Sequence, residues 1–291
     1  MLDLRITTPA LGTVLILIAT FETFAAERPQ PTRKKIVYKT VGKVSLTLHL
    51  FEPKDHKPTD KRAAIVFFFG GGWVGGSPSQ FYPHCSYLAS RGMVAAAAEY
   101  RIKRKHRTSP YECVKDGKSA IRFLRSNAKR LGIDPNRVAA GGGSAGGHVA
   151  AATATVKAFN EKGEETSVSC VPNALVLFNP VYDNGPTGYG YSRVKERWKE
   201  FSPLHNIRKG MPPAIVFLGT KDKLIPVKTA ETFRVRMRAV GSRSELLLYE
   251  DQPHGFFNYG RNGNRFYVQT VTAMDKFLAS LEYLKGEPTV K

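Results

Sequence analysis

The sequence predicts an α/β fold: a mostly parallel sheet with helices on both faces, an antiparallel hairpin in front and a small cap-like insertion. Three observations carry this. Short apolar runs at 63–69, 93–98, 174–178 and 214–218 have the β-rich, continuous character of strands buried on both faces. Helically spaced segments alternate with them, which implies parallel strands joined by crossing helices. Glycines and prolines punctuate nearly every boundary. A chain of 291 residues, 42% hydrophobic, can bury one large core.

In chain order, residues 1–26 read as an export signal. Arg5 lies in a short polar start, 11–21 is apolar, and Ala25-Ala26 offers small residues for cleavage. The apolar run is short for a membrane span, so a secreted or periplasmic protein without stable membrane insertion is expected. Residues 27–35, rich in Pro, Arg and Lys, read as a linker, and 36–291 as the folded domain. Runs at 36–41 and 44–51 flank Gly42 as a hairpin. Strand 63–69 leads into the glycine loop 70–76 and a helix over 81–91. Strand 93–98 and a helix over 110–131 follow, the helix stopping at Gly132. A short strand at 138–141 precedes a helix over 145–158, and 174–178 is again a strand. Residues 180–210 break the rhythm with aromatics among prolines, glycines and charges, as an insertion over one end of the sheet would. Strand 214–218, helix 227–240, strand 245–249 and a last helix over 264–284 complete the pattern.

The net charge of +20 attracts polyanions through its long-range field. The basic residues are scattered, with clusters at 101–107 and 234–238, and read as a solvated basic surface. Nucleic acid, acidic or sulfated polysaccharide and anionic membrane all fit such a charge; the expected partner is an ester substrate, an acylated or acidic polysaccharide among them, and not a nucleic acid. Cys85, Cys113 and Cys170 form no CxxC pair and no disulfide scaffold, so they read as ordinary thiols, with any pairing left open. The oligomeric state is not encoded in any feature of the pattern.

The chemistry centres on Gly142-Gly143-Ser144-Ala145-Gly146, a G-x-S-x-G run between a strand and a helix. Small neighbours let the backbone turn sharply and expose the Ser144 hydroxyl at the sheet edge. A serine needs a base. Among seven histidines, His254 follows a strand, in Gln252-Pro-His-Gly-Phe256, and so projects from the carboxyl end of the sheet. His148 lies inside the helix after Ser144 and points away. The acid that orients the base is expected after a strand between these two. Asp222 qualifies, with Asp183 in reserve and Asp251 weaker. Backbone N–H groups of Ala145 and of the glycine loop would hold an oxyanion.

These pieces, with Gly70-Gly-Gly-Trp73, Glu99-Tyr-Arg101, Gly132-Ile-Asp-Pro135, Gly219–Pro226 and Pro253-His-Gly-Phe256, resemble one family. It is the hormone-sensitive-lipase-like and acetyl xylan/feruloyl (BD-FAE-like) esterase group of the α/β-hydrolases. The likeness spans roughly residues 63 to 260. It implies the α/β-hydrolase fold and a serine carboxylic-ester hydrolase without metal or organic cofactor. It further implies catalytic Ser144, Asp222 and His254, oxyanion donors Gly71, Gly72 and Ala145, and removal of small acyl groups such as acetyl from polysaccharide or small esters. Trp73 is expected to border the acyl pocket, and Tyr182 with the other aromatics of 180–210 the leaving-group side. The family places His before the glycine triplet; this chain has Phe69, which can only pack, so what holds the loop is open.

Three rivals fit parts of the pattern. Gly70-x-Gly72-x-x-Gly75 with Glu99 matches a dinucleotide fingerprint, but Pro78 and Pro83 delay the helix that should follow. A prolyl-oligopeptidase-like serine peptidase shares the residue order but usually carries a large N-terminal gating domain. A non-catalytic glycan-binding protein on the same fold would use the basic surface alone. Neither glycine stretch ends in the GK[ST] of a P-loop.

Overall fold

The computed structural model describes residues 32–291; the expected signal and residues 27–31 of the expected linker lie outside the described residues. The rest of that linker is corrected: β1 (Thr32–Val41) begins at residue 32 and pairs with β2 (Val44–Glu52) from Thr32↔Glu52 to Val41↔Val44. Charged residues are tolerated here because β1 is an edge strand. Lys34 pairs with Glu52 across the two strands at 2.7 Å.

The remaining strands are β3 (Arg62–Phe68), β4 (Val94–Ala98), β5 (Ile133–Gly143), β6 (Ala174–Phe178), β7 (Ala214–Gly219) and β8 (Ser244–Tyr249). They form one eight-stranded sheet in the order β1-β2-β4-β3-β5-β6-β7-β8. The pairs β1–β2 and β2–β4 are antiparallel and all others parallel. The chain leaves β3 first to one side, into β4, and then returns to β5 on the other. That reversal opens a crevice at the carboxyl ends of β3 and β5, where ligands bind in open α/β sheets.

The helices are α1 (Tyr82–Ser90), α2 (Lys103–His106), α3 (Pro110–Ser126), α4 (Ala145–Thr155), α5 (Tyr191–Val194), α6 (Trp198–Phe201), α7 (Val227–Ala239) and α8 (Arg265–Ala279). Alternate strand residues divide two cores. Val66, Phe68, Leu175 and Val216 pack with α3, α4 and α7, while Ile65, Phe67, Val176 and Phe217 pack with α1 and α8. Helix α3 starts at a capping box of Ser109 and Glu112. It stops at Ser126 rather than 131, where the Asn127 side chain turns back onto the Phe123 carbonyl at 2.9 Å. The segment between β6 and β7 holds α5, α6 and single turns.

Beneath that end of the sheet, Asp116 of α3 is fully buried and accepts hydrogen bonds from the Arg101 backbone N–H (2.9 Å), its Nε (2.8 Å) and Nη2 (2.7 Å), and Lys39 Nζ (2.7 Å). This ties β1, α3 and the segment after β4 together. Glu99, the acid of the dinucleotide reading, instead accepts from the Thr47 N–H of β2 at 3.1 Å. Cys85, Cys113 and Cys170 are all free thiols.

Two histidines are wholly buried. His84 sits among Phe67, Phe81, Phe178, Phe257 and Tyr267, with neither ring nitrogen partnered among the described residues. His148 of α4 stacks on Phe201. Burial pushes both down to about 3 from 6.5. The unfolded chain therefore binds protons that the folded chain refuses between pH 6.5 and 3. Stability is expected to fall as pH drops through that window, with a slope approaching about 1.4 kcal/mol per pH unit for each histidine. Denaturant melts of the intact chain and of His84→Leu check this; the variant should show the shallower acid slope.

Candidate active site

Strand β5 ends in glycines and delivers Ser144 into a turn of φ 55° and ψ −120°, a conformation costing a side-chain-bearing residue about 1–3 kcal/mol. Neighbouring structure enforces it. The Ser144 N–H donates to the Phe178 carbonyl at the end of β6 (3.0 Å), and its carbonyl accepts from His148 (3.0 Å) and Val181 (3.2 Å). Ser144 thus stands at the N-terminus of α4, its side chain facing a cavity of about 740 Å³.

The loop after β8 brings His254 to the same cavity. Its Nε2 lies 2.9 Å from Ser144 Oγ and its Nδ1 2.7 Å from Asp222 Oδ2. The carboxylate contact assigns the proton to Nδ1 and leaves the Nε2 lone pair to accept from the serine hydroxyl. Asp222 is held after β7 by its own turn: Oδ1 accepts the N–H groups of Leu224 (2.8 Å) and Ile225 (3.0 Å). Its carboxylate is shielded from solvent. Gly219 lets the two loops meet, since a Cβ there would lie 2.0 Å from the Gln252 carbonyl oxygen.

Of the other acids considered from the sequence, Asp251 pairs with Lys221 at the surface (2.8 Å), and Asp183 accepts from Gly185 N–H in its own loop (2.7 Å). His148 Nε2–H donates to the Phe201 carbonyl, 3.1 Å away, and the ring does not reach the cavity.

Gly71 (φ 121°) and Gly72 (φ 63°) border the cavity, and their N–H groups have no acceptor among the described residues. Ala145 is the first residue of α4, so its N–H has no partner within the helix. Left-handed backbone at Gly71 and Gly72 is the reason for glycine here: a Cβ on Gly71 would stand 2.3 Å from the Gly75 carbonyl oxygen.

What holds the loop in place of the expected histidine is a pair of amides. Gln80 Oε1 accepts from the Gly70 N–H (2.7 Å), Gln80 Nε2 donates to Asn258 Oδ1 (2.9 Å), and Asn258 Nδ2 donates to the Gly255 carbonyl (2.7 Å). The glycine loop is thereby linked to the residue following His254. Phe69 stacks on Tyr100 at 4.2 Å, and the Tyr100 hydroxyl donates to the Phe69 carbonyl at 2.5 Å. Asn179, at the end of β6, completes the support: its Oδ1 accepts from Gly255 N–H (2.9 Å), and its Nδ2 lies 3.4 Å from His254 Nε2. Gln80→Ala is expected to lower kcat by about ten- to a hundredfold, worth ~1.4–2.7 kcal/mol, with KM nearly unchanged. Steady-state kinetics alongside Asn258→Ala and the double variant check it; the two losses should be non-additive, because they break one connection.

Two substrate-contact expectations are corrected. Tyr182 is fully buried, stacked on Phe233 at 4.2 Å, and faces the core rather than the cavity. Trp73 is 1% exposed, packs against His148, Tyr189 and Phe201, and lies at the wall of a neighbouring cavity rather than of the one that holds Ser144. Both rings are packed into the core although neither Trp73 Nε1 nor the Tyr182 hydroxyl finds a hydrogen-bond partner there among the described residues. Tyr189, Arg193, Leu224 and Arg261 border the cavity instead. Tyr189 belongs to the aromatic stretch legible in the sequence; Gln80, Asn179 and Asn258 carried no sequence signal, because polar residues in loops are common.

Comparison with known proteins agrees with this geometry. The BD-FAE family model matches residues 48–181. Esterase LipC of Mycobacterium tuberculosis is 31% identical over 231 residues, 72% of this chain and 56% of that protein. An acetylxylan esterase of Xylanibacter ruminicola is 28% identical over 207 residues, 66% of this chain and 41% of that protein. The chain spans about half the length of such curated relatives. Among solved structures, Thermogutta terrifontis esterase 2 phosphorylated by paraoxon is 45% identical with a TM-score of 0.84, covering 88% of this chain and 96% of that one. Likeness of that depth, running almost the whole length of a solved esterase, makes the chain a member of the carboxylesterase group of the α/β-hydrolases.

Proposed function

We propose that the chain hydrolyses carboxylic esters through an acyl-enzyme on Ser144, releasing small acyl groups, acetyl among them, from polysaccharide or small esters. The observation that carries this reading is the unbroken row Ser144 Oγ–His254 Nε2 (2.9 Å) and His254 Nδ1–Asp222 Oδ2 (2.7 Å) beside the glycine loop. In it, Ser144 attacks the ester carbonyl while His254 takes the hydroxyl proton. Asp222 steadies the imidazolium. The N–H groups of Gly71, Gly72 and Ala145 receive the charge that develops on the carbonyl oxygen. His254 then returns the proton to the departing alcohol, and afterwards removes one from the water that attacks the acyl-enzyme. No step needs a metal, and among the described residues no cluster of His, Cys, Asp and Glu is arranged to hold one.

Small acyl groups are favoured by what is named for the relatives: an acetylxylan esterase, and a propionate-bound form of the Thermogutta esterase. A series of p-nitrophenyl esters from acetyl to octanoyl, with acetylated xylan and methyl ferulate, tests the reading. The acetyl or propionyl ester should give the highest kcat/KM; a maximum at octanoyl would reverse the acyl-size proposal. Paraoxon should add one diethylphosphoryl group at Ser144, seen by peptide mass spectrometry. Export of the mature chain is proposed on the sequence of residues 1–26 alone, and the N-terminal sequence of the secreted product checks it.

A further inference from the structure

A second cavity, about 930 Å³, adjoins the first and shares Gly72, Val74 and Arg193 with it. Four cations line it: Lys103, Arg104, Arg107 and Arg193. No carboxylate lines it, and none of the four makes an ion pair among the described residues. Several arginines elsewhere in this chain are matched. Arg91 pairs with Asp275 (2.7 Å), Arg101 with Asp116 (2.7 Å) and Arg122 with Glu164 (2.6 Å). Unmatched positive charge gathered in a recess raises the local concentration of anions and offers each of them charge-assisted hydrogen bonds.

The backbone that carries the cations is held in place. The Lys103 N–H donates to the Trp73 carbonyl and the Arg104 N–H to the Val74 carbonyl, both at 3.0 Å, so α2 is fastened directly to the end of the glycine loop. The buried Arg101–Asp116 pair anchors the residue just before this segment. From α5, Arg193 Nη1 donates to the Gly72 carbonyl at 2.8 Å. A ligand bound along this groove would therefore lie beside the glycine loop that borders Ser144.

We propose that this groove binds the alcohol part of the ester substrate, and that this part is a glycan bearing carboxylate or sulfate groups, running from Arg193 past Val74 to Arg107. The proposal rests on the ester-hydrolase reading for its direction toward Ser144. Features of the groove favour a glycan. The exposed Ser192 hydroxyl stands among the cations and suits a sugar hydroxyl. None of the exposed large hydrophobics, Val37, Leu224, Val235, Leu248 and Tyr259, lines it, so no large apolar side chain projects from its rim to enter a lipid surface. The one tryptophan at its wall is buried and cannot stack on bases as a single-strand-binding platform requires.

The test uses the full mature chain and two triple variants. Lys103→Ala/Arg104→Ala/Arg107→Ala removes three of the groove's four cations, and Lys228→Ala/Arg234→Ala/Arg238→Ala removes as much charge from α7. Binding is measured at about 0.15 M salt, where charges beyond ~8 Å are screened. The ligands are a chondroitin sulfate hexasaccharide, a polygalacturonate hexamer, xylohexaose, phosphatidylglycerol vesicles and a single-stranded oligonucleotide. The groove variant should lose at least tenfold in affinity for the sulfated or the uronate glycan, whichever the chain prefers, and keep p-nitrophenyl acetate turnover within twofold. The α7 variant should change neither by more than twofold. Equal losses in both variants, no loss in either, or tightest groove-dependent binding to vesicles or oligonucleotide would each overturn the proposal. Failure of the ester-hydrolase reading would register separately, as absent p-nitrophenyl acetate turnover and absent paraoxon labelling in the unaltered chain.

Discussion

Ser144→Ala is expected to lower kcat/KM for p-nitrophenyl acetate by about four to six orders of magnitude, or ~5–8 kcal/mol of transition-state stabilisation. Among the described residues the Ser144 hydroxyl alone is a nucleophile within hydrogen-bond reach of the imidazole, at 2.9 Å. The loss should not be complete. Binding and the backbone donors of Gly71, Gly72 and Ala145 would still favour direct attack by water, the source of residual rates when such serines are removed. Because the three side chains act as one unit, His254→Ala should cost about as much, and the double variant little more. The fold should survive: removing the oxygen leaves the backbone bonds to Phe178, His148 and Val181 in place. Activity in Ser144→Ala within tenfold of the unaltered chain, with an unchanged thermal melt, would remove Ser144 from the mechanism.

Gly146→Ala should be the most damaging single methyl that can be added to the chain's elbow. A Cβ there would lie 2.0 Å from the Phe68 carbonyl oxygen and 2.4 Å from that of Phe69, both backbone atoms at the end of the central strand β3. No rotamer relieves that contact. Either α4 moves off the sheet, or β3 and the glycine loop shift; both displace Ser144 relative to Gly71 and Gly72. We expect a loss of about 3 kcal/mol or more, a fall in Tm of roughly 6–12 °C for a domain of this size, and activity reduced at least a hundredfold. Gly75→Ala is the matched control. It lies in the neighbouring glycine loop, yet a Cβ there meets nothing within 4 Å. Differential scanning calorimetry of the two variants separates a steric requirement from a general intolerance of glycine replacement; equal, small effects would refute the close-packing argument.

The contrast between those two glycines shows how far the pattern of residues could be read. Continuous apolar runs marked β3, β4, β6 and β7 to within a residue or two, because strands buried on both faces have no alternative composition. The start of β1 was missed, since Arg33, Lys34 and Lys35 belong to an edge strand whose charges are compatible with a linker. Ser144, Asp222 and His254 were legible as strand-end residues in a given chain order, and the structure places them in one hydrogen-bonded row. The cavity's aromatic lining was only partly legible: Tyr182 and Trp73 stood in the right stretches but turned into the core.

What the sequence by itself determined is which residues lie at the carboxyl ends of buried strands, and hence which chemistry converges on the crevice beside β3 and β5. That follows from local composition and spacing, which dictate strand, turn and helix without reference to distant residues. The tertiary structure alone decided how the glycine loop is held. The Gln80–Asn258 amide pair does this from positions 178 residues apart in the chain. Tertiary packing likewise decided which aromatic rings face solvent, and that Arg193 of α5 joins the 101–107 cluster in one recess. Hydrogen bonds and charge fields of that kind depend on distances between elements far apart in the chain, and those distances exist only once the sheet has brought the elements together.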